Sequence, residues 1–178
     1  MRVIGGSARG RSIRAPKGHG TRPITDRAKE AIFNMVRFQT PIDGTTVADL
    51  FAGSGSFGIE CLSRGADRVV FVERNRGAAA TIAANLEVLG FSDRAEILVR
   101  PVERVVDRLP PADLAFCDPP YADDPWAALL PRIRADLLIA HAETPVELTP
   151  PWKAVRRRTY GRAEIVIAER VDPAAPGA

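Results

Sequence analysis

The stretch Phe116-Cys117-Asp118-Pro119-Pro120-Tyr121 passes abruptly from hydrocarbon to a carboxylate, two prolines and an aromatic ring. Two consecutive prolines can neither continue a ladder strand nor open a helix, so the backbone must leave the sheet rigidly at this point. Pro119 and Pro120 donate no N–H, which leaves outward-facing carbonyls beside the Asp118 carboxylate and the face of Tyr121. An acceptor-rich pocket with a stacking wall suits a planar amine, as when an enzyme works on an extruded nucleobase. A plain Asp-Pro turn at a strand end accounts for the same residues without chemistry. The neighbouring motifs decide between the two.

The second constellation is Gly53-Ser54-Gly55-Ser56-Phe57-Gly58, a G-x-G-x-x-G run, with Glu73 about twenty residues on. Glycines let backbone approach a ligand closely, and an acid at the second strand end accepts two ribose hydroxyls, which predicts an adenosine-containing cofactor. NAD and S-adenosylmethionine both satisfy that pattern. Asp49, four residues before Gly53, favours the second. Its charge repels a pyrophosphate at the helix N-terminus but attracts a sulfonium or an amino group. The candidate cofactor-facing set is Asp49, Ala52, Gly53, Ser54, Gly55, Glu73 and Arg74.

A third feature is electrostatic. The first 37 residues carry nine Lys and Arg against two acids, whereas the whole chain is only +3. Arginines interleaved with glycines point to a phosphate backbone, with Arg9 and Arg11 as phosphate contacts and Arg22, Thr25, Asp26 and Arg27 lining a lid over the pocket. Other classes fit poorly. With 46% apolar and 26% charged residues the chain reads as one globular domain, and no run approaches the length of a membrane span. Met1 leads into Arg2-Val3-Ile4-Gly5-Gly6 rather than an apolar segment, which predicts no signal peptide and a cytoplasmic protein. Cys61 and Cys117 sit far apart in apolar runs, and His19 and His141 are lone histidines without partner motifs. No metal is expected.

The elements that must position these residues follow from periodicity. Residues 1–20 read as a basic β-hairpin arm that either packs on the domain or orders against a partner. An amphipathic helix follows, with Thr25 as its N-cap. Strands are predicted at 45–51, 68–72, 95–99, 112–117 and 137–140, alternating with helices at 57–64, 78–89 and 102–109; a further helix over 126–138 is kinked or restarted by Pro131. Candidate strands at 154–159 and 165–168 flank a turn at Tyr160-Gly161-Arg162. Such alternation predicts a doubly wound, mostly parallel sheet of Rossmann-like type, with the first and fourth strands adjacent at the switch point. The glycine turn and Asp118 thereby become neighbours. The expected organisation is an arm and lid helix over 1–38, a domain over 39–171 and a disordered tail over 172–178.

Val47-Ala48-Asp49-Leu50-Phe51-Ala52-Gly53-Ser54-Gly55 resembles motif I of class I methyltransferases, and Asp118-Pro119-Pro120-Tyr121 resembles the motif IV tetrapeptide of those that methylate exocyclic amines. Thr21-Arg22-Pro23-Ile24-Thr25-Asp26-Arg27-Ala28-Lys29-Glu30-Ala31-Ile32-Phe33-Asn34 is similar to the signature of the RsmD family, the bacterial small-subunit ribosomal RNA guanine-N2 methyltransferases. The resemblance covers essentially the whole chain. It implies a seven-stranded sheet with the last-inserted strand antiparallel and S-adenosylmethionine as methyl donor. The implied acceptor is a guanine of small-subunit ribosomal RNA, free or in an assembling 30S particle, and the protein is expected to act as a monomer. Two departures stand out. Val99-Arg100-Pro101 replaces the acid expected near the adenine, and no acid precedes His141 at the fifth strand end. Methylation of DNA adenine-N6 or protein glutamine uses a similar tetrapeptide, usually with Asn in place of Asp118. An NAD-dependent dehydrogenase and a non-catalytic RNA-binding factor are the readings from other classes.

Overall fold

The structure, a computed structural model, describes residues 1–16, 26–36, 38–120 and 124–171. Arg22, Thr25, Tyr121 and the tail 172–178 lie outside the described residues, and of Asp26 and Arg27 only the backbone is described. The helices are α1 (Asp26–Val36), α2 (Ser56–Ser63), α3 (Arg76–Leu89) and a single turn, α4 (Trp126–Leu129). Seven strands, β1 (Thr46–Leu50), β2 (Arg68–Val72), β3 (Ala95–Leu98), β4 (Ala112–Cys117), β5 (Ala135–Ala142), β6 (Trp152–Tyr160) and β7 (Ala163–Arg170), form one sheet in the order β3-β2-β1-β4-β5-β7-β6. β7 runs antiparallel to both its neighbours, and the rest of the order is the doubly wound pattern with β1 against β4.

Both faces of the sheet are covered, which is why the central strands are mainly apolar, as in Val69-Val70-Phe71-Val72 of β2. One face carries Val47, Phe71, Leu114, Ile139 and Ile167 and packs against α1, α2 and α3. The other carries Ala48, Val70, Ala115, Leu138 and Val166 and packs against α4 and the segment 102–109. Parallel aromatic rings tie the first layer together: Phe33 of α1 lies 5.1 Å from Phe57 of α2, which lies 4.0 Å from Phe116 of β4.

The N-terminal arm packs on the domain. Val3, Ala8 and Ile13 are buried in the same core as α1 and α2. Its backbone is held by side chains of the domain: Ile4 N–H donates to Glu60 Oε2 at 2.8 Å, and Ala8 N–H to Ser63 Oγ at 2.9 Å. Arg14 exchanges two hydrogen bonds with the Asn85 side chain. Lys29, fully buried, donates from Nζ to the Arg2 carbonyl. Gly6 is needed here, because a Cβ at that position would lie 1.8 Å from the Ser63 carbonyl oxygen.

Three sequence expectations need correction. Segment 102–109 is two 3-10 turns, Val102–Arg104 and Val106–Arg108, not a helix. The predicted helix over 126–138 stops after one turn, because Pro131 admits only a short 3-10 turn at Leu130–Arg132, and β5 has begun by Ala135. β5 is thus eight residues long, twice the expected length. The cap expected at Gly90 is present with φ 74°, and Asn75 caps the other end of α3 by accepting from Ala78 N–H.

Candidate active site

Three carboxylates converge at the carboxyl ends of β1, β2 and β4. Asp49 is 1% exposed and Glu73 7%. Asp49 Oδ2 accepts the Gly58 N–H at 2.9 Å, in the first turn of α2. Glu73 accepts the Gly53 N–H at 2.8 Å through Oε2 and the Asn75 N–H at 2.7 Å through Oε1. Burial pushes the Asp49 carboxyl well above the ordinary carboxylate range; the Gly58 N–H opposes that shift, and the charges of Asp118 and Glu73 reinforce it. A pocket with so much negative charge held out of water favours a cation.

The turn between β1 and α2 is shaped to bring these groups together. Phe51, Gly53 and Gly55 all have positive φ, at 60°, 54° and 71°. A bulky residue in that region is a backbone outlier of the kind concentrated at functional sites. The glycines do less for ligand approach than the sequence suggests. A Cβ on Gly58 would lie 2.3 Å from the Phe71 ring and one on Gly55 3.0 Å from Ile82, so both permit helix-to-strand packing. The turn also has little to offer a pyrophosphate, since Glu73 takes the Gly53 N–H and Asp49 takes that of Gly58. Ser54 is buried, Ala52 is half-buried, and Arg74 is exposed with no partner among the described residues.

Asp118 leaves the sheet one residue past β4. Leu50 pairs with Cys117, and the Asp118 N–H lies 3.5 Å from the Leu50 carbonyl oxygen, so Asp118 stands beside the glycine turn as predicted. Pro119 is buried, Pro120 half-buried. Asp118 has a partner that sequence reasoning missed: His141 Nδ1 lies 2.8 Å from Asp118 Oδ1. His141 is 6% exposed and its side chain packs against Asp118, contrary to its reading as a lone histidine. An ionised carboxylate can only accept, so Nδ1 carries the proton. The signal was available in the parallel register, which pairs Cys117 with Ala140 and so sets the next two residues side by side.

The remaining candidates lie elsewhere. Arg9 and Arg11 sit near the closing turns of α2 and α3, away from the carboxyl ends of the strands where Asp118 lies. Arg11 Nη2 donates to the Val88 carbonyl at 2.8 Å, at the close of α3. Arg100 is exposed and donates only to its own neighbour, the Val99 carbonyl. Cys61 and Cys117 are buried free thiols. No described helix is long and apolar enough to cross a membrane.

Comparison with known proteins places this geometry. Residues 1–169 match the family model described as Conserved hypothetical protein 95. A Bacillus subtilis protein named "Putative rRNA methyltransferase YlbH" is 36% identical over 96% of this chain and 99% of its own. Ribosomal RNA small subunit methyltransferase D of Escherichia coli is 33% identical over 96% of this chain and 90% of its own. Among solved structures, a hypothetical protein of Thermus thermophilus superposes with a TM-score of 0.78 at 30% identity, covering 95% of this chain and 99% of that one. With its class I methyltransferase fold and a match over nearly its full length, the chain belongs to the family of ribosomal RNA small subunit methyltransferase D.

Proposed function

We propose that the protein transfers a methyl group from S-adenosylmethionine to the exocyclic N2 amine of a guanine in small-subunit ribosomal RNA. The observation that carries this reading is the convergence of Asp49, Glu73 and Asp118 around a turn whose Gly53 and Gly58 N–H groups already bond to carboxylates. Such a site disfavours the phosphates of NAD and suits a ligand with cationic sulfonium and amino groups. The residues fit that cofactor: Asp49 faces its positive end, and Glu73 keeps a free lone pair on each oxygen for the two ribose hydroxyls. S-adenosylmethionine, when bound, supplies an electrophilic methyl group.

The acceptor amine needs activation, because its lone pair is delocalised into the ring. Asp118 and the Pro119 carbonyl each accept one N–H, which localises the lone pair and stabilises the positive charge that develops on nitrogen. His141 makes the division of labour at Asp118 specific. Its N–H holds Oδ1 and leaves Oδ2 for the amine, so His141 is a positioning residue. Tyr121, from its place in the tetrapeptide, stacks on the base. Asp118 need not be a strong base, since the methylated ammonium is acidic and loses its proton late. Much of the rate then comes from holding the two reactants together.

The test is labelled methyl transfer to small ribosomal subunits from cells lacking this enzyme. Recovery of the label as N2-methylguanosine in the RNA is expected. Label in adenine or in protein glutamine, or no transfer alongside tight NAD binding, would overturn the proposal.

A further inference from the structure

The positive charge of this chain is not confined to its N-terminal arm. Between Lys153 and Arg162 the sequence carries five basic residues and no acid. This segment is β6, the outermost strand of the sheet, together with the turn into β7. Its place relative to the reaction centre follows from the strand registers. Cys117 pairs with Ala140, so Asp118 stands beside His141; His141 pairs with Ile165, and Ile165 pairs with Arg158. Arg158 is therefore at the same level of the sheet as Asp118. Three inter-strand steps separate their backbones, about 15 Å.

The basic residues of β6 divide by face. Arg157 pairs with Val166 on the α4 side, where its guanidinium is committed to the Val146 carbonyl at 2.9 Å and to Glu164 at 3.1 Å. Arg156 and Arg158 pair with Ile167 and Ile165, which belong to the core under α1, so both arginines lie on the same side of the sheet as the N-terminal arm. Neither they nor Arg162 has an ion-pair or hydrogen-bond partner among the described residues. The acids of β7 do not neutralise the row: Glu164 is taken by Arg157 and by the Val146 N–H, and Glu169 stands at the far end opposite Lys153.

We propose that Arg156, Arg158 and Arg162 form a second RNA contact, gripping phosphates of the strand that flanks the target base. The inference rests on RNA being the substrate. Guanidinium groups match phosphate oxygens in bidentate geometry, and a row of cations without interspersed acids complements a polyanion and not a mixed protein surface. Charges on an edge strand also deter pairing with other chains, but that role does not require them to lead toward the catalytic end on one face.

The full-length protein with Arg156→Ala, Arg158→Ala and Arg162→Ala combined tests this, beside a triple replacement by Lys. Both are assayed on deproteinised small-subunit RNA and on undermethylated small subunits at several salt concentrations. The alanine variant is expected to raise the RNA KM about tenfold or more, to reduce the log–log salt slope by about two, and to bind S-adenosylhomocysteine as the wild type does. The lysine variant should keep most of the slope. Wild-type KM and slope in the alanine variant would overturn the proposal, as would self-association of that variant with RNA affinity unchanged. If the wild type itself neither binds nor methylates RNA, the reading of the substrate fails together with this surface; normal methylation by an unaffected variant sinks the surface alone.

Discussion

Two regions of opposite charge stand apart in this molecule. The pocket at the ends of β1, β2 and β4 gathers three carboxylates, two of them almost fully buried and bonded to backbone N–H groups. The basic surface on β6 presents Arg156, half-buried, and Arg158, exposed, neither with a side-chain partner among the described residues. A buried charge is unscreened and selects a small cation by shape. An exposed charge is screened by salt and attracts any phosphate backbone that comes near. A net charge of +3 conceals both.

The sharpest way to break the acidic half is Asp118→Ala, which should lower kcat by about 100-fold to 1000-fold with little change in cofactor affinity, read by single-turnover methyl transfer. Near wild-type transfer would remove Asp118 from the chemistry. Next comes Asp49→Asn, expected to weaken S-adenosylmethionine by about tenfold to 100-fold in calorimetry. The same change should stabilise the ligand-free protein. Because burial raises the folded-state titration of Asp49, its ionisation costs stability; that cost is absent below the unfolded carboxylate range near pH ~4 and grows as pH rises toward the folded value. Thermal melts at pH 7 should therefore favour the Asn variant, and the advantage should vanish in acid.

His141→Leu should cost about tenfold in kcat, leaving the KM for RNA and the cofactor affinity in place, while His141→Asn, which keeps a donor, should recover part of the loss. A uniform collapse of all three parameters in both variants would instead mean that His141 only holds the fold. The smallest effect belongs to the arm. Arg11→Ala should destabilise the protein by about 1 kcal/mol through the lost Val88 contact and change the RNA KM only a few-fold, measured by denaturant melts and salt-dependent kinetics. A loss of RNA affinity as large as that of the β6 variant would move the main phosphate contact back to the arm.

The alternating pattern from Thr46 to Cys117 was legible because the parallel strands are mainly apolar and each is followed by a glycine, acid or proline signal. The adjacency of Asp118 and the glycine turn followed from winding order alone. Less legible was everything that depends on a partner far away in sequence. His141 carries no local mark of function; only the β4–β5 register brings it to Asp118. Nor does the sequence say that Gly55 and Gly58 are small for the sake of Ile82 and Phe71, since both glycine roles leave the same pattern. The helix expected over 126–138 failed for a related reason, because burial between β4 and β7 makes a strand of residues whose periodicity is ambiguous.

The aromatic column Phe33–Phe57–Phe116 bears on how this protein can be re-engineered. One ring comes from the helix after the arm, one from the helix after the glycine turn, and one from the strand that ends in Asp118. An arm transplanted together with the helix that follows it, to redirect the enzyme to another RNA, would bring its own version of the first ring and meet the other two unchanged. Such a chimera should work only when all three positions travel as a set, so the unit of exchange is the column and not the arm.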